Sequence, residues 1–177
     1  MHTRVYVSED RTKVFVLFYE AACVFSNFYP TGFSAAPNIQ QFLKNEELAK
    51  EEELKKKQTF NCSEQYFIWS KISRDVMFNA CLEKFSQDET CRKTLFRTHG
   101  MTLVEASPTD KIWGIGLDKN DKRSEDERTW RGTNWLGETL DKVREELWKK
   151  EEFQKEREQI GKESMETRCQ LLEHFPL

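Results

Sequence analysis

The sequence predicts a single α+β domain, predominantly α-helical, with a small β-sheet near the N-terminus. Val5 and Val7 alternate with polar residues, and a β-branched and aromatic run follows over 14–19, which is typical of strands. Four apolar residues further along share one helical face: Leu136, Leu140, Val143 and Leu147. A chain of 177 residues has the usual size of one domain and can bury a substantial core.

The elements between these two patterns follow from turn and capping residues. Polar residues 8–12 separate the two strands and predict a hairpin, and the sequence at 29–32 predicts a turn. Apolar spacing of four predicts a helix over 63–85, with a break near Ser73. Residues 86–88 can open a further helix that runs through Leu95 and is capped at Gly100.

Two charged segments interrupt or follow this domain. Alternating Glu and Lys residues over about 38–58 predict a solvated helical insertion at the surface. We assign residues 1–150 to the domain and residues 151–177 to a charged helical extension and tail. Beyond Trp148 we expect the last helix to continue into solvent and then to fray.

Composition excludes several classes of function. The net charge of −3 provides no basic excess, so nonspecific nucleic-acid binding is not expected. Five cysteines without a CxxC pair predict free thiols in a reducing compartment, which indicates the cytoplasm or also the nucleus. The longest apolar run, 14–19, is too short to span a bilayer, and no basic-then-apolar leader opens the chain.

The sequence also lacks the usual cofactor motifs. The three histidines are isolated, and no His, Cys or Asp grouping has metal-ligand spacing. Glycine-rich dinucleotide and phosphate-loop patterns are missing, and no Ser-His or Cys-His nucleophile is supported. We therefore expect neither a metal nor another cofactor.

The segment 103–116 has the composition of a small-molecule site. Gly114 and Gly116 suit a backbone that something approaches closely, because glycine has no Cβ. Trp113 adds a flat aromatic face and Asp110 adds a charge, as in a nucleotide or sugar pocket. The other interpretation is a buried turn with a core tryptophan.

Carboxylates are the remaining candidates for catalysis: Glu64, Glu105, Asp110 and Asp118. A carboxylate among apolar rings can deprotonate water for attack on an oxocarbenium-like ribose centre. Glu64 fits this requirement because it stands shortly before two aromatic residues, near a helix start that Ser63 can cap. Alternatively, Glu64 is only a helix-start charge favoured by the helix dipole.

Four blocks in this order resemble the motifs of the NADAR family, also called YbiA-like: Val24–Pro30, Cys62–Lys71, Leu103–Gly116 and Trp130–Gly137. A matching helix segment follows at Val143–Leu147, so the resemblance covers about residues 14–150. More than the local patterns, this resemblance implies a single YbiA-like α+β domain, predominantly α-helical, with a small N-terminal sheet.

The resemblance implies a hydrolase of nucleotide metabolism that cleaves N-glycosidic bonds. The implied substrates are riboflavin-pathway ribosylamino-pyrimidine intermediates or ADP-ribose attached to guanine, either as a small molecule or on nucleic acid. Glu64 matches the motif glutamate, and Asp110 is the second catalytic candidate. No metal, redox cofactor or membrane is implied.

The same resemblance suggests roles for the surrounding residues. Trp113 would stack on the base, with Asn27 and Phe28 as a second wall, and Phe28 and Trp113 can equally be core residues. Lys71 and Arg131 would meet phosphate, although Arg131 can equally belong to a surface ion pair. The substrate-binding candidates are Asn27, Phe28, Tyr66, Lys71, Trp113, Gly114, Asp118, Arg131 and Asn134.

The chain departs from the family pattern in two ways. Gln65 stands where members usually carry histidine, and a few dozen helical residues that normally follow Lys71 are missing. Two other functions therefore stay open. The first is a catalytically weakened ADP-ribose-binding or nucleotide-binding regulatory protein. The second is a helical interaction protein that uses residues 140–160.

Overall fold

The computed structural model describes residues 3–35, 58–63 and 74–174. The strands in these ranges are β1 (Thr3–Val7), β2 (Val14–Phe18), β3 (Phe33–Ala35), β4 (Gln58–Phe60) and β5 (Thr102–Glu105). β1 and β2 form the predicted antiparallel hairpin, with Thr3 paired to Phe18. β5 adds to the other edge of β2 in parallel, and β3 pairs antiparallel with β4 in a separate two-stranded sheet.

Helices make up most of the remaining described chain: α1 (Arg74–Gln87), α2 (Glu89–Arg97), α3 (Trp135–Lys149), α4 (Gln154–Gly161) and α5 (Met165–Glu173). The predicted start of α2 is confirmed, because the Asp88 side chain accepts a hydrogen bond from Cys91 N at 2.9 Å. The C-terminal cap of α2 is Thr98 and not the predicted Gly100, which lies two residues further on with φ +82°. The α+β class, predominantly helical with a small sheet, is confirmed.

The three-stranded sheet is buried on both faces, which explains the continuous apolar run at 14–18. Val16, Phe18 and Leu103 pack into the main core against α1 and α3. The four residues of the predicted helical stripe all lie in this core, each at most 2% exposed: Leu136, Leu140, Val143 and Leu147. On the other face, Phe15 and Leu17 pack against Ile115 and Leu117, which close a smaller cluster.

The expectation that the last helix continues past Trp148 into solvent is wrong. α3 ends at Lys149, and α4 and α5 fold back onto the body of the protein. Three apolar side chains of this segment are buried: Phe153, Ile160 and Leu172. Apolar burial therefore holds a segment whose composition is otherwise strongly charged.

Ion pairs with α2 fix the same C-terminal segment. Arg92 donates two hydrogen bonds to the Glu156 carboxylate, at 2.9 and 2.7 Å, while its guanidinium lies 4.1 Å from the Phe153 ring centroid. Arg97 makes the equivalent bidentate contact with Glu163. Such paired, partly buried contacts are stronger than ordinary surface salt bridges.

Some expectations concern residues outside the described ranges or are only partly tested. The charged insertion at about 38–58 and the helix start at 64–73 fall mainly outside them. All five cysteines are free thiols, as expected. Within the described ranges, none of the helices is both long and apolar enough for a bilayer span.

We predict that Leu172→Ala lowers the free energy of unfolding by about 2–5 kcal/mol, because this side chain is 1% exposed in the core. Leu171→Ala is the matched control, since its neighbouring side chain is 40% exposed and should change stability by less than about 0.5 kcal/mol. Urea denaturation of both variants measures the difference. Equal, small losses would show that α5 does not contribute to the core.

Candidate functional site

A cavity of about 470 Å³ opens beside the carboxyl ends of β2 and β5. These strands are parallel, with Phe18 paired to Glu105, so the segments that follow them begin at the same edge of the sheet. Residues 19–28 form one wall of the cavity, and residues 105–113 with the start of α3 form the other. Of the described site candidates, Asn27, Phe28, Asp110 and Trp113 are brought together in its lining.

The first wall is a series of tight turns that a buried lysine supports from below. Lys84, on α1, donates hydrogen bonds to Val24 O at 2.7 Å and to Ser26 O at 2.9 Å. Its side chain is only 1% exposed, and burial lowers the pKa of its ammonium group. In this wall, Asn27 is buried and Phe28 is 60% exposed, and both line the cavity.

The second wall is organised by Asp110. Its Oδ1 accepts hydrogen bonds from the backbone N–H groups of Ile112 and Trp113, both at 2.8 Å. Its own backbone N–H donates to Ser107 Oγ at 3.1 Å. The carboxylate therefore shapes the turn that carries Trp113 and also faces the cavity.

Gly114 and Gly116 allow other parts of the chain to pack closely against this segment. A Cβ on Gly114 would lie 2.9 Å from Glu105 O and 3.0 Å from Asp110 O. Gly116 has φ +68°, a conformation that favours glycine. Gly114 is buried beneath the turn and is not in the cavity lining. A Cβ there would displace the backbone that carries Asp110.

Three other candidates lie outside the cavity lining. Asn134 is buried, and its side-chain amide is hydrogen-bonded to the backbone of β5. It donates to Leu103 O and accepts from Glu105 N, both at 2.9 Å. The Asp118 carboxylate accepts a hydrogen bond from Asn120 N at 2.8 Å within its own turn. Arg131 is exposed and lies beside Gly116.

Glu64, Tyr66 and Lys71 fall outside the described residues, but the residue before Glu64 is described. Ser63 is completely buried. Burial raises the pKa of the Cys81 thiol to about 11, and the Lys84 ammonium group and the nearby Ser63 hydroxyl oppose part of this rise. The Cys81 thiol lies 3.9 Å from Asn27 Oδ1. Cys81 therefore lies between Ser63 and the first wall of the cavity.

Of the two further acidic lining residues, Glu105 is one of the four carboxylate candidates that the sequence predicts, whereas Glu20 is not. Glu20 follows β2 and Glu105 ends β5, so the parallel pairing of the strands brings both to the cavity. Glu20 also accepts a hydrogen bond from Lys119 Nζ at 2.7 Å. With Asp110 they give three carboxylates, whereas the described lining contains no lysine or arginine. This lining suits an N–H-rich, uncharged group better than a phosphate.

Comparison with known proteins identifies relatives of this chain. The NADAR domain model matches residues 68–148. Protein irg-1 of Caenorhabditis elegans is 60% identical over 216 aligned positions that cover 99% of both chains. Because 216 positions exceed the 177 residues present here, irg-1 carries segments that this chain lacks.

Two N-glycosidases match a shorter region. N-glycosidase R617 of Acanthamoeba polyphaga mimivirus is 46% identical over 79 residues, or 45% of this chain and 46% of the relative. N-glycosidase Npun_R5314 of Nostoc punctiforme is 38% identical over 79 residues, or 45% and 44% of the two chains. The match therefore spans less than half the length of either enzyme.

We predict that Gly114→Ala lowers the free energy of unfolding by about 1–3 kcal/mol, because its Cβ would meet two backbone carbonyl oxygens. Gly32→Ala is the control, since a Cβ there meets nothing within 4 Å. Thermal and urea denaturation of both variants provide the measurement. If Gly114→Ala is as stable as Gly32→Ala, the turn is not packed as described.

Proposed function

Because this chain belongs to the NADAR domain family, we propose that it is an N-glycosidase that hydrolyses the N-glycosidic bond of a ribosylated heterocycle. The partial-length similarity to two N-glycosidases supports this reaction. The observation that carries the proposal is a cavity whose lining brings Phe28 and Trp113 together with Glu105 and Asp110. Such a cavity fits a planar heterocycle with polar edges.

In this proposal, the heterocycle lies between the aromatic side chains and its N–H groups donate to the carboxylates. Asp110 suits substrate positioning, because its Oδ1 already accepts two backbone N–H groups. Glu105 is the last residue of β5 and is half-buried, so it can hold a polar edge in a fixed place.

Hydrolysis requires one water molecule and no redox change. The water oxygen forms a bond with C1′ of the ribose as the bond from C1′ to the nitrogen of the leaving heterocycle breaks, which in a ribosylamino-pyrimidine is the amino nitrogen. A general base takes a proton from the water, and the leaving heterocycle takes up a proton. We assign Glu64 as this base, because it matches the family's motif glutamate and directly follows Ser63, which lies behind the Asn27 wall.

The candidate substrates are a ribosylamino-pyrimidine of riboflavin synthesis and ADP-ribosylated guanine. Each has a heterocycle bonded to ribose and a phosphate further along the molecule. The described lining contains no cation for that phosphate. We therefore place the phosphate outside the cavity, where Lys71 or the exposed Arg131 would bind it.

The second candidate function is ADP-ribose or nucleotide binding with weakened catalysis. One observation favours it: the alignment with irg-1 requires segments that this chain does not have. Incubation with each substrate in the presence of EDTA, with release of the free base followed by chromatography, separates the two functions. Base release supports the N-glycosidase. Binding of ADP-ribose without release supports the second candidate.

We predict that Glu64→Gln lowers kcat by about 10²–10⁴, because a positioned general base contributes a factor of this size. Substrate affinity and Tm should change little, since glutamine keeps the size and hydrogen-bonding capacity of the side chain. Glu89→Gln is the control, because this exposed carboxylate on α2 pairs with Lys93 on the same helix and does not line the cavity. Near-normal turnover of Glu64→Gln would remove Glu64 from the mechanism.

We predict that Phe28→Ala weakens substrate affinity by about 1–3 kcal/mol, the contribution of one aromatic stacked on a base. Its Tm should stay close to that of the parent protein, because the side chain is 60% exposed. Met165→Ala, which removes an exposed apolar side chain on α5, should leave affinity unchanged. Isothermal titration with substrate or ADP-ribose measures both. Unchanged affinity for Phe28→Ala would mean that this wall does not contact the ligand.

A further inference from the structure

A second tryptophan, Trp135, packs against the indole of Trp113, which lines the cavity. The rings of Trp113 and Trp135 lie edge to face, with centroids 5.9 Å apart and planes at 86°. Trp135 is half-buried and does not line the cavity. This geometry is a favourable arrangement for two aromatic rings, so Trp135 favours one orientation of the Trp113 indole.

Trp135 is itself held in place from α1. The guanidinium carbon of Arg74 lies 4.7 Å from the Trp135 ring centroid, a cation–π contact. Arg74 also donates to the carboxylate of Glu138, which lies three residues after Trp135 on α3. The planar guanidinium can stack on the ring while it pairs with the carboxylate. A chain of contacts therefore leads to Trp113: Glu138 pairs with Arg74, which stacks on Trp135, and Trp135 packs against Trp113.

The main chain fixes the same pair of residues. Trp135 N donates to Ile112 O at 3.3 Å, and Leu136 N donates to Trp113 O at 3.0 Å. The first turn of α3 therefore uses its N–H groups to hold the turn that carries Trp113. Because the backbone is fixed in this way, the remaining freedom of Trp113 is rotation of its side chain, which the Trp135 ring restricts.

We infer that Trp135 is a positioning residue, which holds the Trp113 indole in the orientation that stacks on the substrate. Binding then does not have to order this ring, and ordering a side chain on binding would weaken affinity. The inference rests on the proposed function for the identity of the ligand. The contact between Trp135 and Trp113 is tested separately, because the orientation of Trp113 can be measured without a ligand.

The first experiment compares two tryptophans of the same helix. We expect Trp135→Leu to raise the Kd for ADP-ribose about two- to tenfold, the equilibrium factor of one edge-to-face aromatic pair. Trp135→Phe keeps an aromatic ring and should recover most of the affinity. Trp148→Leu is the matched control, because Trp148 stacks on His99, with ring centroids 3.9 Å apart, and does not line the cavity.

Two outcomes of this titration would overturn the inference. One is a Trp135→Leu protein that binds ADP-ribose as the parent does. The other is a Trp148→Leu protein that loses as much affinity, because the effect would then reflect general destabilisation. If the parent does not bind ADP-ribose at all, the proposed nucleotide ligand is rejected, and the second experiment decides the role of Trp135.

The second experiment uses ¹⁹F NMR of protein labelled with 5-fluorotryptophan, which gives one resonance for each of the five tryptophans. Trp113→Phe assigns the Trp113 resonance. We expect this resonance to broaden or split in Trp135→Leu, because the indole then samples more than one rotamer, and to stay single and sharp in Trp148→Leu. A Trp113 resonance as sharp in Trp135→Leu as in the parent protein would overturn the inference.

Discussion

The buried amide of Asn134 is the contact on which the site depends. It donates to Leu103 O and accepts from Glu105 N, so one side chain takes the place of a neighbouring strand along β5. Asn134 has φ 52°, a left-handed conformation that asparagine adopts more readily than most residues. Its own N–H donates to Gly114 O at 3.2 Å. Strand, glycine turn and α3 therefore meet at this residue.

The close packing of α3 against β5 depends on the same junction. A Cβ on Gly137 would lie 2.1 Å from Leu103 O, so the helix can reach the strand only with glycine at this position. The two walls of the cavity are then each organised by one charged side chain, Lys84 for the first and Asp110 for the second. Both side chains bond to backbone groups, which fixes loop geometry more directly than contacts between side chains.

Hydrophobic periodicity and turn residues predict strands and helices that depend on short-range sequence. They do not predict contacts between residues that are far apart in the chain. The β1–β2 hairpin and the apolar stripe of α3 follow from periodicity, and both are present. The sequence predicts a solvated extension and tail over residues 151–177, because charged residues dominate there. Three apolar side chains of this segment are nevertheless buried, and two of its carboxylates pair with Arg92 and Arg97. These contacts join residues that are far apart in the sequence. Glu20 belongs to the cavity only because β2 and β5 run parallel.

The parallel pairing of β2 and β5 also bears on how this fold can vary over evolution. The connection between these strands runs from residue 19 to residue 101, and it contains both internal stretches outside the described residues, 36–57 and 64–73. Closing a longer connection costs only about 0.6 kcal/mol for each doubling of its length. Phe18 and Glu105 are paired through the ladder of β2 and β5, and the connection itself is not part of this ladder. The sheet can therefore stay the same while relatives differ in the length of this connection. Such differences in length can change the specificity of the site.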